Sequence, residues 1–308
     1  MKKAFTLLEL IVVIVITGIL ALVGIEISIN IYKGYLQSRA INTLQAETEL
    51  VLEQISKRLA IRIKGSSIGR QRANPNTFVS TEDPTLDNTY DILEWISYSY
   101  EAFQDGGWSG FIDLNHANTA RTRLNPADTI TTTGSIETPL SFLQNAWNNI
   151  RDLTNNPTTA TNQNQLGVFF KGTGNINVQT SFGYNDTNQA NDIARVNSFN
   201  GDTTINITYP VGRSISEQYF LLHTAYAVVP TNNTANDFTL ELRYNYRPWV
   251  IGNSFQNANS AVLARNVTRF NFTEANGVVV LKLCMRDGQR SLSNGEEETT
   301  VCKTKAVY

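Results

Sequence analysis

The chain opens with an apolar run from Phe5 to Ile25 that a single charged residue, Glu9, interrupts. At 1.5 Å per residue, a run of about twenty residues makes a helix of roughly 30 Å, which is the thickness of a bilayer core. Lys2 and Lys3 precede the run, so we expect the N-terminus to stay in the cytoplasm and the rest to be exported. A carboxylate inside such a span costs about 2.5–3.5 kcal/mol on insertion scales, so Glu9 is expected to have a partner and a function.

Hydrophobic residues beyond the apolar run recur mostly at every fourth position. The stripe consists of Leu36, Ala40, Leu44, Val51, Ile55, Leu59 and Ile63. This period indicates an amphipathic helix with one buried face, and no proline interrupts it. The pattern predicts one helix within residues 5–65 that ends at about Lys64 with Gly65 as its C-cap, and a length of about 90 Å. Residues 5–29 are expected to span the membrane, and the second half is expected to pack on a folded head.

Residues 66–308 have the composition of a β-rich globular head with long loops. Runs of β-branched and aromatic residues predict strands over 90–100, 166–171, 203–209, 219–229, 238–246, 266–273 and 277–285, with a short terminal strand at Cys302. The strands at 219–229 and 238–246 are joined by a polar loop and predict a hairpin.

One further helix is predicted inside the head, where Pro139 precedes residues 140–153. Its apolar face is formed by Leu140, Leu143, Trp147 and Ile150. The remaining stretches are polar and rich in Asn, Thr, Gly or Pro, and they are predicted to be loops. These are residues 70–88, 115–138, 154–165 and 172–202.

The composition narrows the functional classes. The chain has 308 residues, 41% of them hydrophobic, and a net charge of −2, so no global basic field indicates nucleic acid. Its two histidines, His116 and His223, are isolated and do not make a zinc site. The two cysteines, Cys284 and Cys302, predict a disulfide in an exported chain, although two unpaired thiols remain the alternative.

Basic residues crowd the predicted end of the long helix and continue past it. They are Lys57, Arg58, Arg62, Lys64, Arg70 and Arg72. Such a cluster could bind an anionic partner. We prefer a solvated helix terminus, where cations complement the helix dipole.

Two patterns invite a catalytic or metal-binding interpretation, and each lacks a required part. Gly65–Gly69 fits G-x-S-x-G. A nucleophile elbow needs a strand before the serine and a helix after it, whereas here a helix is predicted before the serine and a polar loop after it. Asp186, Asn188 and Asp192 could ligate calcium, but the central glycine of an EF-hand loop is missing, and a solvated loop is the better interpretation. We therefore predict no catalytic residue, no cofactor and no metal.

The first nine residues resemble the prepilin signature of type IV pilins and type II secretion pseudopilins. The sequence Lys2-Lys3-Ala4 is followed by Phe5-Thr6-Leu7-Leu8-Glu9. The resemblance implies that residues 1–4 are a leader, that a prepilin peptidase cleaves between Ala4 and Phe5, and that the new Phe5 amine is methylated. It also implies that Glu9 partners the N-terminus of a neighbouring subunit during assembly. The chain departs from the family in having Ala4 where Gly is usual before the cleavage site, and Glu26 where many major pilins have proline.

The order of strands near the C-terminus is similar, less specifically, to the heads of large minor pilins and J-type pseudopilins. The resemblance implies an α+β, pilin-like fold, with the long helix laid across one face of an antiparallel sheet. It also implies other pilin or pseudopilin subunits, the prepilin peptidase, an inner-membrane assembly platform and the lipid bilayer as partners. The protein is then expected in the bacterial inner membrane, with a single pass and a periplasmic head.

The leading hypothesis is therefore a structural subunit, a minor pilin or pseudopilin that acts by assembly. An adhesin or a DNA-uptake tip subunit, binding through the head loops, is the alternative, so nucleic acid remains an uncertain partner. A membrane-anchored periplasmic enzyme is less favoured. Two other interpretations of the N-terminus are less favoured. An ordinary secretory signal would be cleaved after its apolar core, but Ile19-Leu20-Ala21 is a poor cleavage site. A plain single-span anchor would have no role in assembly.

Overall fold

The computed structural model describes residues 7–120, 122–124, 127–129, 133–154, 160–173, 176–209, 213–234, 237–288 and 299–308. It consists of one long helix followed by an antiparallel β-sheet, so the predicted α+β class is confirmed. The predicted cleavage site, Ala4–Phe5, lies outside the described residues, and so does the acidic loop at Glu296–Glu298.

The first helix, α1, runs from Leu7 to Ala60 and is 54 residues long. It ends four residues before the predicted end at Lys64, because the chain turns there to join the sheet. The amide of Ile63 donates to the carbonyl of Ile96 at 2.8 Å, which a continued helix would not allow. Gly65 has a φ of +81°, but it lies past this turn, so the prediction that it caps α1 is wrong.

The head contains fourteen described strands and three short helices. The strands are β1 (Ile68–Arg70), β2 (Phe78–Ser80), β3 (Ile92–Tyr98), β4 (Thr122–Leu124), β5 (Ala127–Thr129), β6 (Thr133–Glu137), β7 (Gly167–Phe170), β8 (Ile193–Asn200), β9 (Thr204–Thr208), β10 (Tyr219–Thr231), β11 (Phe238–Tyr246), β12 (Asn259–Ala275), β13 (Val278–Arg286) and β14 (Thr300–Val307). The helices are α2 (Tyr100–Gln104), α3 (Leu143–Leu153) and α4 (Val178–Ser181), and 3₁₀ turns occur at Ala160–Gln165 and Phe255–Asn257.

The loop predictions are wrong in several places. The stretch 70–88 contains β2, 115–138 contains β4, β5 and β6, 154–165 ends in a 3₁₀ turn, and 172–202 contains α4 and β8. In β8, Ile193, Ala194 and Val196 are buried, but the residues around them are mostly polar. So short an apolar pattern does not by itself predict a strand. Pairing with the neighbouring strands β7 and β9 stabilises β8.

Three of the four residues predicted for the apolar face of α3 are buried. Leu143, Trp147 and Ile150 are buried in the head. The helix begins at Leu143 and not after Pro139, because Leu140 has a φ of +61°, outside the helical region. Leu140 is 87% exposed, so its assignment to the buried face is wrong.

All described strand pairs are antiparallel, and the main sheet follows the order β14-β13-β12-β11-β10-β7-β8-β9-β6. Strand β10 organises the centre, because Tyr219–Leu222 pair with β7, Leu222–Val228 with β3, and Ala225–Thr231 with β11. Strand β11 has its predicted bounds, whereas β12 begins at Asn259, seven residues earlier than predicted.

The head has three hydrophobic clusters, and one of them holds α1. Val51, Ile55 and Leu59 of α1 pack with Leu281 and Leu283 of β13. A second cluster lies between α2, α3 and the strands β6–β9, and it includes the buried side chains of Trp108 and Trp147. The third contains Phe182, Tyr246 and Trp249. The sheet is thus covered at one end by the long helix and at the other by the short ones.

The predicted basic cluster is not one solvated surface. Arg62 donates through Nη2 to Glu274 Oε1 at 3.1 Å and to the carbonyl of Gly277 at 2.7 Å. The side chains of Arg62 and Glu274 are 1% and 3% exposed. Arg62 therefore joins the end of α1 to the turn between β12 and β13, and its interpretation as part of a solvated helix terminus is wrong.

Arg70 is buried as well, with Nε donating to Glu94 Oε2 at 2.9 Å. Tyr246 donates its hydroxyl to the other oxygen of Glu94, also at 2.9 Å. Burial and the charge of Glu94 raise the pKa of Tyr246 well above 10, so the phenol stays a donor. Arg72 pairs at the surface with Asp91 at 3.2 Å. The basic residues past the helix thus mostly stabilise the head.

We predict that Arg62→Met destabilises the head by about 3–5 kcal/mol, because it leaves Glu274 as an unpaired buried charge. Lys57→Met is the matched control: Lys57 is 75% exposed and 3.7 Å from Glu53, so the loss should be about 0–1 kcal/mol. Urea unfolding of the full chain in detergent, followed by tryptophan fluorescence, measures both, since all four tryptophans lie in the head. Equal losses for the two variants would contradict the assignment.

Candidate functional site

The first half of α1 projects away from the head. Its large apolar side chains are exposed from Leu7 to Tyr35. This part of α1 is long and apolar enough to cross a membrane, by its length and composition. No residue of that segment is buried against the head, so the whole circumference of the helix is available to lipid or to other helices.

Glu9 lies in the first turn of α1. Its side chain is exposed, and the position near a helix N-terminus favours a carboxylate through the helix dipole. The predicted cleavage and methylation residues, Ala4 and Phe5, precede the described part of the chain. The structure therefore places the carboxylate at the end of the helix that is farthest from the head.

The second half of α1 carries the predicted stripe into the head. Its buried residues are Leu44, Thr48, Val51, Leu52, Ile55, Ser56 and Leu59. Leu36 and Ala40, which begin the predicted stripe, are half-buried. The change from exposed to buried thus occurs near Leu44, and about ten turns of helix lie before it.

Two lysines of β14 fix the direction of that strand along α1. Lys303 Nζ lies 2.9 Å from Glu49 Oε2, and Lys305 contacts both Glu49 and Glu53. Two residues of a strand and four residues of a helix both advance about 6 Å, so the contacts Lys303–Glu49 and Lys305–Glu53 repeat at the same spacing along both elements. Hydrogen bonds from the lysines lower the pKa of both Glu49 and Glu53. Strand β14 therefore runs parallel to α1 and in the same direction.

The two cysteines face each other across β13 and β14. Cys284 and Cys302 are register partners, and their sulfur atoms are 2.06 Å apart. The pair joins the last strand to its neighbour, two residues from the last register pair, Arg286 and Thr300.

The patterns considered for catalysis and metal binding are divided among different parts of the head. Ser67 is 1% exposed and precedes β1, with no helix after it. Asp192 pairs with Arg213 at 3.4 Å, Asp186 accepts from Asn76 at 2.9 Å, and the Asn188 amide donates to Pro248 O at 2.6 Å. Among the described residues no group of three His, Cys, Asp or Glu could hold a metal ion.

The two histidines also lie apart. His223 is buried in β10, and burial, with the charge of Arg247, lowers its pKa to about 3, so the imidazole is neutral at neutral pH. His116 lies at the surface with Nδ1 3.9 Å from Glu137 Oε2. The two side chains therefore sit in different environments and do not form one site.

Sequence reasoning missed the contacts that hold α1 in place. Glu49 and Glu53 are four residues apart and Lys303 and Lys305 are two apart, which are the spacings of one helix face and one strand face. That pattern could have suggested the pairing, but only if the neighbouring elements were already known. Arg62 and Glu274 are 212 residues apart and carry no local signal.

Comparison with known families identifies the N-terminal segment. Residues 1–25 match the family model described as the prokaryotic N-terminal methylation motif. The chain thus carries the prepilin-type motif of type IV pilins and pseudopilins, and the resemblance of its first residues is confirmed. No curated protein and no solved structure matches the chain. The motif and the apolar helix fit a membrane-anchored, single-pass subunit of the pilin type.

We predict that Cys284 and Cys302 form a disulfide in the exported protein. A loop of about nineteen residues implies roughly 3 kcal/mol in the chain-entropy model. The native full chain should resist maleimide without reductant and take up two labels after reduction and unfolding, as mass spectrometry would show. Labelling of both cysteines in the native, unreduced protein would contradict the prediction.

Proposed function

We propose that the protein is a minor pilin or pseudopilin, a structural subunit of a type II secretion pseudopilus or a type IV pilus. The observation that carries the proposal is the coincidence of the methylation motif at residues 1–25 with a helix whose first half is apolar and exposed. A helix that is apolar on all sides is stable in lipid or among other such helices. Assembly therefore moves the helix from one apolar environment to another.

Processing prepares the helix for that transfer. In this proposal the prepilin peptidase cleaves between Ala4 and Phe5, and the new Phe5 amine is methylated and retains its positive charge. Glu9 of one subunit then pairs with the N-terminal amine of a neighbour. The pairing sets the register between helices, because the low dielectric constant of the bundle strengthens the attraction between opposite charges.

The width of the head supports a sparse position in the filament. Nine strands lie side by side in the main sheet, and at about 4.8 Å per spacing they make a surface about 38 Å across. Packed helices lie about 8–10 Å apart. A head of this width at every position would overlap its neighbours, so a tip or an occasional position fits it best.

An adhesin or DNA-uptake role for the head is the alternative function. A DNA-binding surface would need exposed cations grouped on one face. Arg62 and Arg70, which the sequence places in its densest basic cluster, are buried in ion pairs with Glu274 and Glu94. This observation favours the structural role over nucleic-acid binding. A structural subunit needs no catalytic group, which fits the dispersed placement of Ser67 and His223.

Proteomics of sheared filaments or of purified inner membranes tests the proposal. We expect the N-terminal peptide of the mature chain to begin at Phe5 and to carry one methyl group. In the filament fraction the chain should be far less abundant than the main subunit, because of the width of its head. An N-terminus near Leu22 would instead indicate an ordinary secretory signal, and abundance equal to the main subunit would contradict the minor position.

We predict that Glu9→Ala leaves membrane insertion intact and impairs incorporation into the filament. Removal of a charge eases insertion, while a charge-assisted hydrogen bond worth about 1.5–3 kcal/mol is lost, so incorporation should fall roughly tenfold to a hundredfold. Immunoblots of membrane and filament fractions measure both steps.

Glu26→Ala is the matched control, because Glu26 is an exposed carboxylate on the same helix. It should insert and assemble as the natural chain does. If Glu9→Ala assembled at the same level as Glu26→Ala, Glu9 would have no specific role.

A further inference from the structure

A buried side chain of β10, His223, has no hydrogen-bond partner among the described residues. It is 5% exposed, and its Nδ1 is enclosed and unpaired. Buried polar groups are nearly always hydrogen-bonded, because an unpaired group has lost its contacts with water without replacing them. The imidazole thus has a capacity for hydrogen bonding that the described residues leave unused.

The backbone is irregular at His223. In the pairing with β3, Leu222 and Thr224 face two adjacent residues, so His223 is an extra residue between them. Such a bulge interrupts the ladder and redirects a side chain, and bulges are common next to active sites. The bulge therefore takes His223 out of the regular alternation of β10.

A second bulge lies next to the first, where β10 pairs with β11. Here Tyr226 of β10 faces two residues of β11, Tyr244 and Asn245. Asn245 has a φ of +61°, in the left-handed region, where asparagine is enriched. Its backbone N–H donates to Thr224 Oγ1 and its Nδ2 donates to the carbonyl of Thr154, both at 3.0 Å. These two bonds fix Asn245 in that conformation.

Residues of both bulges line a cavity of about 100 Å³ between β10, β11, α2 and the end of α3. Its polar side chains are those of His223, Thr224, Tyr226, Tyr244, Asn245 and Glu101. A water molecule takes up about 30 Å³ in the liquid, so the cavity has room for about three waters or for a small ion.

A buried cation lies beside this cavity. Arg247 is 7% exposed, and its Nη2 donates to Oδ1 of the cavity residue Asn245 at 3.4 Å. Its Nη1 donates to Gln165 Oε1 at 3.0 Å, and its Nε has no partner. Both acceptors are neutral amides. Burial alone lowers the pKa of Arg247 to about 10, so the guanidinium is charged at neutral pH.

Arg247 differs in this from two other buried arginines of the head. Arg62 and Arg70 are each paired with a carboxylate, whereas none of the described carboxylates pairs with Arg247. Residues 153–165, which adjoin the cavity, include no Asp or Glu. A buried charge is normally paired, because its removal from water is costly. The charge of Arg247 also acts on His223, since it contributes to the lowered pKa of the imidazole.

We propose that this cavity binds a small carboxylate ion of the size of acetate, with Arg247 as its buried counter-ion. The imidazole of His223 and the phenol groups of Tyr226 and Tyr244 have no hydrogen bond to a described residue, so they are available to donate to the carboxylate oxygens. The two oxygens match these separate donors, and the single negative charge matches that of Arg247. The site lies in the head and goes beyond the proposed role in a filament.

Glu101 also lines the cavity, and its side chain is exposed. Its negative charge repels an anion and should weaken binding. The site is therefore expected to prefer a singly charged ion over a doubly charged one such as phosphate, because the repulsion grows with the charge of the ligand.

Nuclear magnetic resonance of the full chain in detergent, with ¹⁵N-labelled histidine, tests the proposal. The chain has two histidines, so the surface residue His116 is an internal reference. Sodium acetate replaces sodium chloride at constant ionic strength and pH. We expect the imidazole signals of His223 to shift to saturation and those of His116 to stay in place. Equal shifts of both residues, or no saturable shift of His223, would mean that the cavity holds water only and would overturn the proposal.

Three variants identify the charges that act on the ion. With Arg247→Met the affinity for acetate should fall roughly tenfold to a hundredfold, as expected for the loss of an interaction with a charged group. Arg243→Met is the matched control on β11, because Arg243 already pairs with Glu241 at 2.8 Å, and it should leave the affinity unchanged. With Glu101→Gln the affinity should rise roughly fivefold, the effect of one unit charge a few ångströms away in a water-like medium.

Tryptophan fluorescence shows whether each variant folds. Equal affinities of Arg247→Met and Arg243→Met would overturn the proposal. If Arg247→Met does not fold, Glu101→Gln decides, because Glu101 is exposed and its substitution keeps the shape of the side chain. An unchanged or lower affinity of that variant would contradict an anion in the cavity. None of these outcomes depends on cleavage at Phe5 or on the role of Glu9.

Discussion

The burial of one face of α1 against β12–β14 is the contact on which the rest of the structure depends. Leu52, Ile55 and Leu59 are almost fully buried there, and the facing side chains Leu281 and Leu283 are fully buried as well. Burial of such side chains is worth about 1.5–3 kcal/mol each, which far exceeds any contribution from exposed ion pairs. Since the same helix is exposed and largely apolar before Leu36, one continuous element links an exposed apolar segment to the folded head.

Polar contacts then determine how the helix sits on the sheet. Burial of apolar area has no direction, whereas hydrogen bonds and ion pairs do. Arg62 binds Glu274 and the turn at Gly277, which sets where α1 ends. The contacts of Lys303 and Lys305 with Glu49 and Glu53 align β14 with the helix. The direction of β14 along α1 follows from that alignment.

Much of the helix and of the regular strands could be predicted, because their signals are local. The stripe from Leu44 to Leu59 has the helical period, and β11 has the alternation of a half-buried strand. The short strands in polar stretches could not be predicted in this way. Strand β2 has three residues and β8 is rich in polar side chains, so their stability comes from neighbours that are distant in sequence. The periodicity indicates the apolar face of α3, but nothing in the sequence indicates the left-handed conformation of Leu140, because a leucine rarely adopts it.

The amino-acid sequence by itself determined the N-terminal motif, the apolar span and the helical stripe, since each rests on the order of neighbouring residues. It also identified Glu9 as a candidate functional residue, because a charged residue inside an apolar run can be recognised from the sequence alone. The tertiary structure alone decided that Arg62 and Arg70 are buried and that the register of β13 and β14 places Cys284 opposite Cys302. The physical reason is that hydrogen bonds and ion pairs form between atoms close in space, and Arg62 and Glu274 meet although 212 positions separate them.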